Sequence, residues 1–249
     1  MRLWRPVALT VDVSWLQFRN ALRDLGPLLM FFFLLPLGIL FFLGHLAGGN
    51  LASQRQILVG SILLETALVN ITATAEQMAQ DKQSRMYDLW VSTPVSPFVY
   101  LLSISLTNLP LTLLSAGTLL LAADLFFGIG LSLVALAVVF LALLLVFCST
   151  LGVGFLIGAY GWSPRATNTL ANFTGSMLGF FAPVYYPVTI IPLPWRYLAY
   201  GWPLTWGSIL LDGVISGTNG SLLLPVGVLV GFSLLWILLI GRVLRWRDP

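Results

Sequence analysis

Charge is scarce in this chain, which also has a single histidine, a single cysteine and a single lysine. Each scarcity closes off a kind of chemistry. A phosphate-binding loop needs glycines that bring backbone N–H groups to the phosphates, followed by a lysine that reaches the terminal ones. Lys82 is the sole lysine and has no such glycines before it, so ATP binding by that device is excluded. One His and one Cys cannot build a zinc site, and metal catalysis through those ligands is excluded with it. A serine and histidine dyad would have to use His45, far in sequence from any Gly-x-Ser-x-Gly turn; an interfacial histidine is the simpler reading. Cys148 has no partner for an intrachain disulfide.

What the chain does have is apolar surface. Apolar types make up 58% of its 249 residues and charged types 8%. The mean hydropathy is strongly positive, more than one soluble core could hide, so lipid is the expected solvent. The apolar residues fall into six runs, about 27–47, 57–79, 98–123, 132–160, 166–184 and 222–241. Each is near the ~20 residues that cross roughly 30 Å of hydrocarbon as a helix. A lone segment in lipid must pair its own backbone groups, and the short alternating strands of a β-barrel are missing. The expected fold is an all-α membrane protein with six transmembrane helices in a single domain, residues 1–249.

Arginine and lysine placement gives the orientation. Arg2, Arg5, Arg19, Arg23, Lys82, Arg85, Arg165, Arg242, Arg245 and Arg247 fall on one side under this segmentation, and Arg55 and Arg196 on the other. The positive-inside rule then puts both termini in the cytoplasm, in agreement with an even span count. The basic residues are too scattered for a nucleic-acid surface and fit acidic headgroups of the bilayer. Residues 1–26 mix four arginines with Trp4, Trp15, Leu16 and Phe18, which fits an amphipathic helix in the interface better than a cleavable signal. Residues 183–213 carry five prolines among seven tyrosines and tryptophans, and are expected to form short broken helices on the outer side.

Polar residues inside the spans are the candidates for a pathway or subunit interface. Glu65 lies well within the second span, where an ionised acid costs roughly 2.5 to 3.5 kcal/mol. Thr72 and Glu76 follow on the same helical face. The fifth span carries Asn168, Asn172, Gly175 and Gly179 on one stripe, suited to close helix packing or to lining a path, and Phe180 near its outer end. An intramembrane enzyme using Glu65 and Glu76 as acid and base is disfavoured, because eleven helical residues separate them by roughly 16 Å.

The other candidate is a polar island at residues 80–97, between the second and third spans. Its order, Asp81-Lys82-Gln83-Ser84-Arg85-Met86-Tyr87-Asp88-Leu89-Trp90-Val91-Ser92-Thr93-Pro94-Val95-Ser96, resembles the cytoplasmic segment of ABC-2 type transporter permeases. That family usually reads acidic-basic, Gly-Thr, an acid, a leucine pair and Thr/Ser-Pro-x-Ser; here Arg85-Met86 stands in place of Gly-Thr. The outer run Tyr186-Pro187 to Pro203-Leu204-Thr205 is similar to the family's aromatic-Pro and Asn-Pro-Leu-Thr signature, with Trp202 where asparagine is usual.

The resemblance implies a permease that binds no nucleotide or other cofactor itself and is not an enzyme. It would pair with a second permease, identical or related, and with two copies of an ABC ATP-binding subunit that carry ATP and Mg. The island would form a coupling helix in a cleft of that subunit, with Asp81, Lys82, Arg85, Met86, Tyr87, Asp88, Leu89, Thr93 and Pro94 as contacts. The expected activity is export of hydrophobic or amphipathic cargo from a prokaryotic inner membrane. Export of a lipid-linked glycan is the alternative, and a membrane anchor without transport activity is the rival of another class.

Overall fold

A computed structural model describes residues 33–85, 97–161, 163–217 and 222–243. Within them run α1 (Leu35–Leu46), α2 (Leu51–Gln83), α3 (Pro97–Phe127), α4 (Leu133–Tyr160), α5 (Pro164–Phe181), α6 (Trp195–Tyr200), α7 (Pro203–Ser216) and α8 (Leu223–Val243). No strand occurs among the described residues. The expected interfacial helix at residues 1–26, and Met86 to Ser96 of the island, lie outside them.

Four helical stretches are long and apolar enough to cross a membrane: α2, Leu102–Phe127 of α3, α4, and Leu223–Ile240 of α8. They coincide with the expected spans at 57–79, 98–123, 132–160 and 222–241. The first expected span is represented by α1, a 12-residue apolar helix. The fifth is represented by α5, which has 18 residues and a polar flank, so its mean hydropathy falls below that of the four.

The bundle is organised around α2, which packs against α1, α3, α4, α5 and α7. Its N-terminus is closed by Asn50, whose side chain accepts from the backbone N–H of Ala52 at 3.0 Å and of Ser53 at 3.5 Å. Its most extensive partner is α4, and close approach explains why. A Cβ on Gly154 would come within 2.6 Å of the Ile71 carbonyl oxygen, and one on Gly158 within 2.9 Å of Met78 Cβ. Hydrogen in place of a methyl lets the two backbones meet, the usual logic of small residues in membrane helices. Leu58, Ile62, Leu63, Ala67 and Ile71 of α2 then join Val139, Leu143 and Val146 of α4 in the main core. A second cluster, Met78, Tyr100, Ile104, Phe155 and Ile240, fills the opposite end of the bundle.

Residues 183–213 are the broken segment expected, with one difference. After a 3-10 turn at Val188–Ile190 and the short α6, the chain forms a 14-residue helix, α7, that buries Leu204, Gly207, Ser208, Leu210, Leu211 and Ile215. Pro203 begins this helix: at the first helical position its missing N–H would have had no partner anyway. The segment is fastened to α2 by Gln56, whose side-chain nitrogen donates to the Val184 carbonyl at 2.9 Å and to Ser208 Oγ at 3.4 Å. The Tyr185 ring lies against Gly60, where a Cβ would be 2.5 Å from it.

Candidate functional site

The island joins the bundle through the last turn of α2. Asp81 belongs to that turn and is 7% exposed. Its carboxylate accepts from the Tyr100 hydroxyl at 2.7 Å, in the first turn of α3, and from Gln77 Nε2 at 3.0 Å. Lys82 turns towards α4 and donates from Nζ to the carbonyl oxygens of Gly158, at 2.9 Å, and Ala159. Those carbonyls belong to the final turn of α4, where no helical N–H follows to satisfy them and a cation is favoured by the helix dipole. The Ser84 hydroxyl donates back to the Asp81 carbonyl at 3.3 Å.

Arg85 then ends the helix with φ at 57°, the left-handed region that favours glycine. It occupies the position where the ABC-2 pattern has glycine, so the chain makes this turn with an arginine. Asp81, Lys82 and Arg85 are thus placed, while Met86, Tyr87, Asp88, Leu89, Thr93 and Pro94 lie outside the described residues.

The pathway candidates divide into two groups. Glu76 and the α5 asparagines come together: Asn168 Nδ2 donates to Glu76 Oε2 at 3.1 Å, Asn172 Nδ2 donates to the Asn168 carbonyl at 3.0 Å and to its Oδ1, and Gln80 donates to Glu76 Oε1 at 3.1 Å. Asn172 and the neighbouring Thr169 are exposed on α5. Thr72 is on the same side of α2, but its hydroxyl bonds back to the Leu68 carbonyl at 2.7 Å. Gly175 and Gly179 face α2, where added Cβ atoms would meet the side chains of Leu68 and Leu64, so this half of the stripe packs helix on helix. Phe180 belongs to α5 by its backbone, and its side chain lies outside the described residues.

Glu65 stands apart from that group. It is 6% exposed, neither carboxyl oxygen completes a hydrogen bond, and the Ser115 hydroxyl of α3 stands beside it. The enclosed site fits the expectation of an acid that is not free in lipid.

Sequence reasoning missed several polar anchors. Asn70 is fully buried and donates to the Phe147 carbonyl at 2.7 Å and to Thr150 Oγ1 at 2.9 Å, both on α4. The signal was present in Thr66, Asn70 and Thr74, a polar stripe at four-residue spacing with all three side chains buried. Tyr100 gave no sequence signal as the partner of Asp81. Nor did Asp212 of α7, which is close enough to feel the charge of Arg55 in α2.

Residues 45–242 match the family model described as ABC-2 family transporter protein. The match spans most of the chain, and the chain belongs to that family. It is therefore a transmembrane subunit of an ABC transporter, of a class that is generally non-catalytic and partners an ABC ATP-binding subunit. A comparison with curated proteins gives no match.

Proposed function

We propose that this chain is the permease half of an ATP-driven exporter that moves hydrophobic or amphipathic cargo outward. ATP and Mg sit on two copies of a separate ATP-binding subunit, and a second permease, identical or related, completes the complex. The end of the bundle bearing Asp81 and Lys82 faces the cytoplasm with both termini, and residues 85–94 meet the ATP-binding subunit.

The observation that supports a pathway is the polar flank of α5. Thr169 and Asn172 are exposed beside the Asn168 and Glu76 pair, on a helix whose open face also carries Leu170 and Phe173. Thr169 and Asn172 donate to groups of their own helix, and the acceptor oxygens left over are better met by water or protein than by lipid, so this flank fits a cavity or a second subunit. The apolar remainder of the surface suits amphipathic cargo.

Exposed aromatic side chains favour the second reading, export of a lipid-linked glycan. Tyr186, Trp195, Tyr197 and Trp202 all lie open on the outer segment, where sugar rings could stack.

The test is ATP-dependent movement of a fluorescent amphipathic dye into inverted vesicles holding the complex of this chain with its ATP-binding subunit. Uptake that requires ATP and falls with Asn172→Leu supports the drug-like or lipid-like cargo. Uptake of a short lipid-linked glycan with none of the dye supports the second reading, and ATP hydrolysis that moves neither class contradicts both.

A further inference from the structure

Adjacent residues at the end of α2 hold two different helices. Asp81 is tied to α3 through Tyr100 at 2.7 Å, and Lys82 is tied to α4 through the carbonyls of Gly158 and Ala159. Both ties sit on the small apolar cluster of Met78, Tyr100, Ile104, Phe155 and Ile240, which is separate from the main core. The start of α3 and the ends of α2 and α4, with Ile240 of α8, therefore form a packing unit at this end.

That unit has connections on both sides. The stretch that follows Arg85 begins at its edge, and α5 begins a few residues after α4 ends, with Ser163 capping the Ala166 N–H at 3.3 Å. From α5 the Asn168 amide reaches back to Glu76 on α2. Asp81 and Tyr100 tie the end of α2 to the start of α3, and Lys82 ties the end of α2 to the end of α4, from which α5 follows.

We propose that Asp81, Tyr100, Gln77 and Lys82 form a three-helix clip that converts movement of the coupling segment into movement of α4 and α5. They act as positioning residues inside the bundle, with the direct contacts to the ATP-binding subunit left to Arg85 and the residues that follow it. The proposal rests on the exporter reading above, and it gives the opening acid and base of the island a different task from the rest of the motif. Asp81 is too enclosed to be a surface contact. A charged pair is apt here because a buried carboxylate and a capping ammonium hold their partners with directional, charge-assisted bonds.

The test uses the complex purified with its ATP-binding subunit, with Cys148→Ser and Tyr197→Cys carrying a fluorescent label on the exposed outer segment. ATP and Mg are added, and hydrolysis and the fluorescence change are read together in the parent, Tyr100→Phe and Gln77→Met. With a working clip, both variants keep the ATP-binding subunit bound and hydrolyse ATP within about twofold of the parent, while the label responds about fivefold less or weaker still. Conservative Asp81→Asn, which still accepts from Tyr100, retains most of the response. An undiminished response in both variants overturns the proposal, and so does release of the ATP-binding subunit by Tyr100→Phe, which would make this end a direct contact.

Hydrogen exchange on the chain alone separates the clip from the exporter reading. Tyr100→Phe is expected to speed exchange in residues 97–104, and Lys82→Met in residues 155–160. Absence of an ATP-binding subunit from the parent preparation would overturn the exporter reading, yet faster exchange at both helix ends would still support the clip. Unchanged exchange at both would remove it.

Discussion

Asn168 on α5 donates a hydrogen bond to Glu76 on α2 at 3.1 Å, joining residues 92 positions apart in the chain. Glu76 is also the acceptor for Gln80, so Asn168 is the link that carries this polar group from one helix to the next. Replacing Asn168 by Asp sets two carboxylates against each other and should cost about 1–3 kcal/mol. Glu76→Gln in the same chain restores a donor to the pair and should recover most of the loss. Thermal unfolding in detergent of the two single variants and the double variant measures both effects.

Two kinds of glycine should respond in opposite ways to alanine. Gly154→Ala forces a methyl towards the Ile71 backbone and is expected to cost about 1–3 kcal/mol, because neither helix can retreat without loosening the other. Gly227 and Gly231 of α8 have nothing within 4 Å of an added Cβ. Alanine there should be neutral or stabilising by about 0.5–1 kcal/mol through helix propensity. Melting temperatures of the three variants distinguish a backbone contact from mere glycine content.

How much of this was legible beforehand depended on what the physical signal was. Hydropathy found α2, α3, α4 and α8 because lipid demands long apolar runs, and it placed α5 less cleanly because Asn168, Thr169 and Asn172 lower its average. It missed the reach of α2, whose ends carry Gln54, Arg55 and Gln56 at one side and Asp81 and Lys82 at the other. Gln54, Arg55 and Gln56 fell outside the expected span and Asp81 and Lys82 fell in a separate coupling segment, although protein partners satisfy several of them. Pro203 read as a breaker when it was a helix start, and the spacing of Leu204, Ser208, Leu211 and Ile215 on α7 was the contrary signal. Pairings such as Asp81 with Tyr100 depend on how α2 and α3 lie against each other, which residue order does not state.

Arg85 offers a direct check on its backbone. A side chain in the left-handed region costs about 1–2 kcal/mol relative to glycine, partly offset by the greater freedom glycine has when unfolded. Arg85→Gly is therefore expected to stabilise the chain by up to about 1 kcal/mol, and Arg85→Val to destabilise it. The comparison is made by chemical denaturation in mixed micelles, where a neutral Arg85→Val would contradict a left-handed residue at this position.

Glu65→Gln keeps the shape of the side chain and removes the ionisable group from an enclosed site. It should melt at or above the temperature of the parent, whereas Glu65→Lys should lose about 2.5 kcal/mol or more through an uncompensated charge among apolar neighbours. A large loss in Glu65→Gln would mean that an ionised Glu65 holds the bundle together.

Asp212 gives a pH dependence of defined sign. Burial pushes its carboxyl above the ordinary aspartate range, and the charge of Arg55 pulls it part of the way back. The folded chain then keeps this proton to higher pH than the unfolded chain does. The contribution to stability is complete below the unfolded value, about 3.9, and is lost as pH rises through the folded one. Asp212→Asn should flatten the fall in melting temperature across that acid range, and an unchanged slope would assign it to other groups.

The central claim is tested most directly by affinity capture of the tagged chain in mild detergent, with ATP hydrolysis measured on the parent and on an Asp88→Arg, Leu89→Ala double variant. An ABC ATP-binding subunit that co-purifies with the parent and hydrolyses ATP, and that the folded double variant releases, is the predicted result. Equal retention by the double variant would contradict the coupling role of residues 85–94, and capture of no ATP-binding subunit by the parent would contradict the exporter itself.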